Sequence, residues 1–123
     1  MTPFGRKLRE LRAARGITMK EMAAALHVTP AYLSALEHGR RGRPSWRLVQ
    51  TIIGYFNVIW DEAEELERLA RHSHPRIVID TSGLVPQATE AANILAEDIA
   101  NMTPAEIGKL LALLKARKRT HTK

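Results

Sequence analysis

The stretch that decides the fold is Thr18-Met19-Lys20-Glu21-Met22-Ala23-Ala24-Ala25-Leu26-His27-Val28-Thr29-Pro30-Ala31-Tyr32-Leu33-Ser34-Ala35-Leu36-Glu37-His38-Gly39. Thr18 stands three residues before Glu21, the spacing of a capping box, in which each side chain satisfies a backbone N–H at a helix start. From there Met22, Ala23 and Leu26 fall on one helical face. Thr29-Pro30 repeats the opening signal, because threonine is a good N-cap and proline is favoured at the first helical position. The helix it opens runs to about His38 and ends at Gly39. Its inward face is thin, Leu33 and Leu36, and its outward face is Ala31, Tyr32, Ser34 and Ala35. Only His27 and Val28 separate the two helices, so the turn between them is tight.

Upstream, Phe4, Leu8 and Leu11 recur at helical spacing among Arg6, Lys7, Arg9, Glu10 and Arg12, and Gly16 stops that helix. Downstream, Arg40-Arg41-Gly42-Arg43-Pro44 is a loop. Ser45 caps a helix whose Leu48, Val49, Ile52, Ile53 and Phe56 form a broad apolar face, central to the core. A further helix runs from about Ile59 to His72, with Trp60, Ala63, Leu66, Leu69 and Ala70 against acidic neighbours. Trp46 and Trp60 are expected to pack in the core. Five short helices in about seventy residues make a small all-α domain.

Behind His72 the pattern changes. Ile77-Val78-Ile79 is β-branched and flanked by Pro75 and by Thr81-Ser82-Gly83, which predicts a short strand. Pro86 opens a helix carrying Ala88, Ala91, Ala92, Leu95, Ala96 and Ile99 at helical spacing. Thr103-Pro104-Ala105-Glu106 combines a cap, a first-position proline and a capping glutamate. It starts a last helix with Ile107, Leu110, Leu111 and Leu114 on one side, followed by a polar, basic tail, 115–123. The expected architecture is therefore all-α: a five-helix domain at 1–73, then a module at 74–123 with the short strand, two helices and the tail.

Composition narrows the function. The chain has 123 residues, 19 Lys and Arg against 13 Asp and Glu, and no cysteine. The last point excludes a disulfide scaffold, a zinc finger and a thiol nucleophile. Residues 1–60 carry ten Lys and Arg against three Asp and Glu, and residues 115–123 carry five against none, while the middle is acidic. A basic front implies a polyanionic partner, either nucleic acid or an anionic membrane surface. No apolar run approaches a membrane span and no signal peptide is read, so a soluble cytoplasmic protein is expected.

The Thr18–Gly39 stretch resembles the helix-turn-helix of the phage-repressor-like Cro/CI, or Xre, family. Gly16-Ile17 before the first cap, Glu21 and Ala23, Val28-Thr29, and Leu33-Ser34 with Glu37 and Gly39 carry the likeness, which extends over residues 4–71. It implies a lambda-repressor-like five-helix fold whose third helix enters the major groove of double-stranded DNA, about 12 Å wide. On that reading Thr29, Ala31, Tyr32 and Ala35 face the bases, with Ser34 and His38 at the margin. Phosphates or the minor groove are met by Arg40, Arg41, Arg43 and Arg47 and by the helix starts at Thr18 and Ser45, Arg43 matching a family residue that can reach into a minor groove. Arg12 and Glu37 match a family pair that bridges the first and third helices. His27 stands where the family usually has glycine, a position of positive φ that histidine tolerates. The chain departs from the family at Met19, Pro30 and Ala31, where glutamine is frequent, so the bidentate adenine contact is missing and base preference is not carried over.

The reading is a transcriptional regulator, a repressor that binds a palindromic operator as a homodimer. Ile77, Val78, Ile79, Ala88, Ala92, Leu95, Ile99, Leu110 and Leu114 are the expected dimer interface. The alternative is an antitoxin that represses its own operon while its rear helices hold a toxin. No enzyme chemistry is read: no acid–base pair, phosphate loop or nucleophile constellation stands out. Glu62, Glu64, Glu65 and Glu67 read as a solvated helix face. His72 and His74 lack a third ligand, so no metal and no cofactor are expected.

Overall fold

The computed structural model describes residues 1–117. The chain divides into two compact units, Met1–Ile77 and Val78 onward. The first holds five helices: α1 (Pro3–Arg15), α2 (Met19–Leu26), α3 (Pro30–Glu37), α4 (Trp46–Phe56) and α5 (Trp60–Arg71). The second holds α6 (Pro86–Asp98), a single 3-10 turn at Ile99–Asn101, and α7 (Pro104–Ala116).

Four of the five helices of the first unit begin at a side-chain cap, Thr2, Thr18, Thr29 and Ser45, whereas α5 starts after Ile59 without one. The Thr18 hydroxyl accepts from Glu21 N at 3.0 Å and the Glu21 carboxylate accepts from Thr18 N at 2.8 Å, a complete capping box. Thr29 and Ser45 accept from the amides of Tyr32 and Leu48 in the same way. His27 ends α2 in the left-handed region at φ 60°, and the amides of His27 and Val28 close on Ala24 and Ala23. That turn re-aims the chain into α3 with no residues to spare.

One core unites the five helices. Phe4, Leu8 and Leu11 of α1 meet Met22, Ala23 and Leu26 of α2, Leu33 and Leu36 of α3, and Val49, Ile52 and Phe56 of α4, with Val58, Leu66 and Ala70 closing it. The start of α1 lies hard against the end of α3. A Cβ on Gly5 would stand 2.1 Å from the Glu37 carbonyl oxygen, so only glycine permits this approach. The same carbonyl accepts from Thr2 N at 3.0 Å. Gly39, at φ +80°, turns the chain out of α3 beneath Thr2, whose methyl leaves no room for a side chain there.

Two expectations are corrected. The strand at Ile77-Val78-Ile79 does not form: these residues have no regular secondary structure, and the described residues contain no strand at all. A β-branched triplet supplies propensity but no partner, and without a ladder of hydrogen bonds an extended segment stays irregular. The architecture is purely helical, seven α-helices and the one 3-10 turn among the described residues. The tryptophans are not core residues either: Trp46 is 68% exposed and Trp60 79%. Each occupies the first position of its helix, where no preceding turn packs over the ring.

In the second unit Thr103 and Glu106 form the expected capping box. No residue of α6, the 3-10 turn or α7 is buried. Ala88, Ala92, Leu95, Met102 and Leu110 are half-buried, whereas Ile94, Ile99, Ile107, Leu111, Leu113 and Leu114 stay exposed.

Candidate nucleic-acid interface

Helix α3 is held rigidly from behind. Glu37 is fully buried, and Arg12 of α1 reaches it with Nη2 2.6 Å from Oε2. Arg9 stands 3.7 Å from the other carboxylate oxygen, Oε1. Sequence reasoning found the Arg12–Glu37 pair but missed Arg9, which lies one turn before Arg12 on the same face of α1. A buried carboxylate with two guanidiniums fixes both the roll of α3 and its distance from α1.

The front of α3 is free. Thr29, Pro30, Ala31 and His38 are exposed, and Tyr32, Ser34 and Ala35 are half-buried. Ala31, Ser34, Ala35 and His38 recur at helical spacing, so they share one face opposite Leu33, Leu36 and Glu37. Small side chains at 31, 34 and 35 let the helix backbone come close to a flat surface. The Thr29 hydroxyl is committed as an acceptor to Tyr32 N at 3.0 Å, but its proton remains available to donate. His38 Nδ1 lies 2.9 Å from the Ser34 carbonyl and donates to it, which leaves Nε2 without a partner among the described residues. The Arg41 guanidinium sits 5.2 Å over the Tyr32 ring, a cation–π contact that ties the loop to the first turn of α3.

The cations fall into the loop after α3 and the start of α4. Arg40, Arg41, Arg43 and Arg47 are all exposed, and none forms a salt bridge with a carboxylate of the described residues. The two helix starts named from the sequence differ. α4 has no acidic residue in its first turn, so its free amides and positive dipole end are unopposed. α2 carries the Glu21 carboxylate at its start, and the Thr18 backbone N–H it accepts holds that carboxyl below its ordinary range. An anion at Thr18 therefore meets a charge of its own sign. Lys118 and Arg119 of the basic tail lie outside the described residues. Among the described residues, no helix is long and apolar enough to cross a membrane.

A short helix presented on a rigid five-helix frame, rimmed by unpaired arginines, defines a DNA-binding regulator. The chain belongs to the helix-turn-helix family of transcriptional regulators, of Xre-like type: the family model for a helix-turn-helix domain matches residues 3–74. Two curated relatives agree. The HTH-type transcriptional regulator RghRB of Bacillus subtilis is 34% identical over 61 residues, which cover 50% of this chain and 44% of the relative. The HTH-type transcriptional regulator DdrOP3 of Deinococcus deserti is 31% identical over 120 residues, covering 95% of this chain and 84% of the relative. The first likeness thus spans less than half of its relative, while the second runs through both units. No solved structure matches the chain significantly.

Proposed function

We propose that the chain is a cytoplasmic transcriptional repressor that binds a palindromic operator as a homodimer. The observation that carries this reading is the free face of α3. In this reading Thr29, Ala31, Tyr32 and Ala35 meet base edges, with Ser34 and His38 beside them. Ala31 and Ala35 suit thymine methyls, and Thr29 and His38 supply polar contacts. Arg40, Arg41, Arg43 and Arg47, with the α4 start at Ser45, hold phosphates and set the register; Thr18 contributes less, for the reason given by Glu21. Repression is steric, the bound dimer excluding polymerase from the promoter.

The second unit supports the dimer. About forty residues that bury none of their own side chains fall short of a self-sufficient core. The exposed Ile94, Ile99, Ile107, Leu111 and Leu114 need a cover, and a second copy is the economical one. Ala88, Ala92, Leu95 and Leu110 face partly inward and line that surface with Ile99 and Leu114. Two copies place their α3 helices about 34 Å apart, one turn of DNA, or a multiple of it.

Sedimentation of the wild type and of the Ile107→Asp, Leu111→Asp variant tests the dimer, and transcription from a bound promoter tests the sign of regulation. The reading expects a micromolar dimer that dissociates in the variant, and less transcript as protein is added. A wild-type monomer would instead leave the apolar surface for a different protein, such as a toxin, and would overturn the homodimer.

A further inference from the structure

We infer that the cleft beside the start of α4 seats a length of DNA sugar–phosphate backbone, with a deoxyribose against the Trp46 indole and a phosphate held by Arg43 and Arg71. The inference rests on DNA binding by the first unit. The cleft, of about 410 Å³, is lined by Arg43, Trp46, Val49, Glu67 and Arg71 among others. Trp46 leaves its indole in water although Val49, Ile52 and Phe56 of the same helix are buried. An aromatic ring gains most when it is covered, and its flat face suits a sugar ring. Arg43 and Arg71 are both exposed, and neither pairs with a carboxylate of the described residues. Glu67 opposes them, but its Oε2 accepts from the Gln50 amide at 2.8 Å, and two cations against one carboxylate leave the lining net positive.

The position of the cleft favours a polymer over a small anion. Arg41 lies on Tyr32 of the reading helix, and Arg43 follows it by two residues, a chain distance of at most about 7 Å. The cleft therefore continues the surface that α3 and its loop present. Four of its lining side chains, Arg43, Ser45, Trp46 and Arg71, are themselves exposed, so it is an open groove rather than an enclosed chamber. Such a groove encloses a free anion poorly, but it can track a strand that is already held elsewhere. Arg71, at the end of α5, would then be a phosphate contact far in sequence from the helix-turn-helix.

Because the chain has two tryptophans, Trp60→Phe leaves Trp46 as the sole indole. That full-length variant is titrated with a short mixed-sequence duplex. Binding is followed by the anisotropy of a labelled strand, and the Trp46 environment by emission and acrylamide quenching. The expected result is a change in emission and a loss of acrylamide access that track the anisotropy, with no effect of inorganic phosphate alone. Arg71→Gln should lower the salt slope by about 0.9, shrinking the fall in affinity between 50 and 200 mM salt by about 3.5-fold. Duplex binding with Trp46 unprotected, or with the Arg71→Gln slope unchanged, overturns the inference and leaves the reading helix intact. A Trp46 response to phosphate but not to duplex overturns it in favour of a free-anion site. No duplex binding at all removes the DNA-binding reading and this inference with it.

Discussion

Glu37→Ala is expected to be among the most damaging single substitutions in the first unit. The carboxylate is fully buried and the Arg12 side chain is only 10% exposed, so removing Glu37 strands a guanidinium with little access to water. Breaking a buried pair from one side costs about 3–5 kcal/mol. Arg12 keeps a thin path to solvent, and Arg9 is 56% exposed and does not depend on the pair, so the lower end, about 3 kcal/mol, is the better figure. A domain of this size has roughly 4–11 kcal/mol in all. The loss is thus a quarter or more of the total, and the melting midpoint should fall by about 12–24 °C. Arg12→Ala should cost less, because Arg9 stands 3.7 Å from the remaining carboxylate and can close on it. The double substitution Arg12→Met, Glu37→Leu should be nearly neutral, since well-packed apolar replacements avoid the desolvation of both charges. Urea unfolding followed by far-UV circular dichroism measures wild type, these three variants and the Arg12→Ala, Glu37→Ala double variant that closes the cycle. A Glu37→Ala protein within about 1 kcal/mol of wild type, or strictly additive effects of Arg12→Ala and Glu37→Ala, would refute the reasoning.

Gly5→Ala drives a Cβ into the Glu37 backbone, which cannot swing aside, and should cost about 3 kcal/mol as a lowered urea midpoint with unchanged slope. Trp60 is 79% exposed and sits at φ 54°, so Trp60→Gly should raise stability by about 1 kcal/mol after the chain-entropy loss, whereas Trp60→Ala should gain nothing; melts of both check it. The Glu21 carboxyl is held below its ordinary value of 4.5 by the Thr18 amide. A depressed carboxyl supports the fold above its unfolded pKa and loses that support as pH falls through the folded one. Wild type should therefore exceed Glu21→Gln in stability at pH 7, with the gap closing below 4.5, as a pH series of melts would show.

The first unit was legible because its signals are local. Thr18 with Glu21, Thr29 with Pro30, and Ser45 each announce a helix start through atoms three residues apart, and those bonds are present. Three of the five helices follow from them, the first and the fifth came from apolar periodicity, and the Arg12–Glu37 pairing came from the family likeness rather than from spacing. What failed depended on long-range partners. Ile77-Val78-Ile79 has the composition of a strand, but a strand exists only through a neighbour, and none is present among the described residues. Trp46 and Trp60 fall on apolar periodicities, yet at a first helical turn periodicity says nothing about whether another element covers the ring. Arg71 was missed for a related reason: it ends α5, and only the fold brings it to the cleft that Arg43 and Trp46 line. The apolar positions of α6 and α7 were visible as stripes, but which of them turn inward, Ala88, Ala92, Leu95 and Leu110, needed the structure.

The central claim is that the free face of α3 reads bases. Selection from a pool of random duplexes with the wild-type chain and with Tyr32→Ala tests it most directly. The account predicts that wild type enriches a two-fold symmetric motif. Tyr32→Ala should change preference at one or two positions of each half-site and weaken the best site by about 1–3 kcal/mol, while Arg43→Ala weakens all sites alike and flattens their salt dependence. A wild-type pool with no enriched motif, or a Tyr32→Ala pool with the same motif at the same affinity, would contradict it.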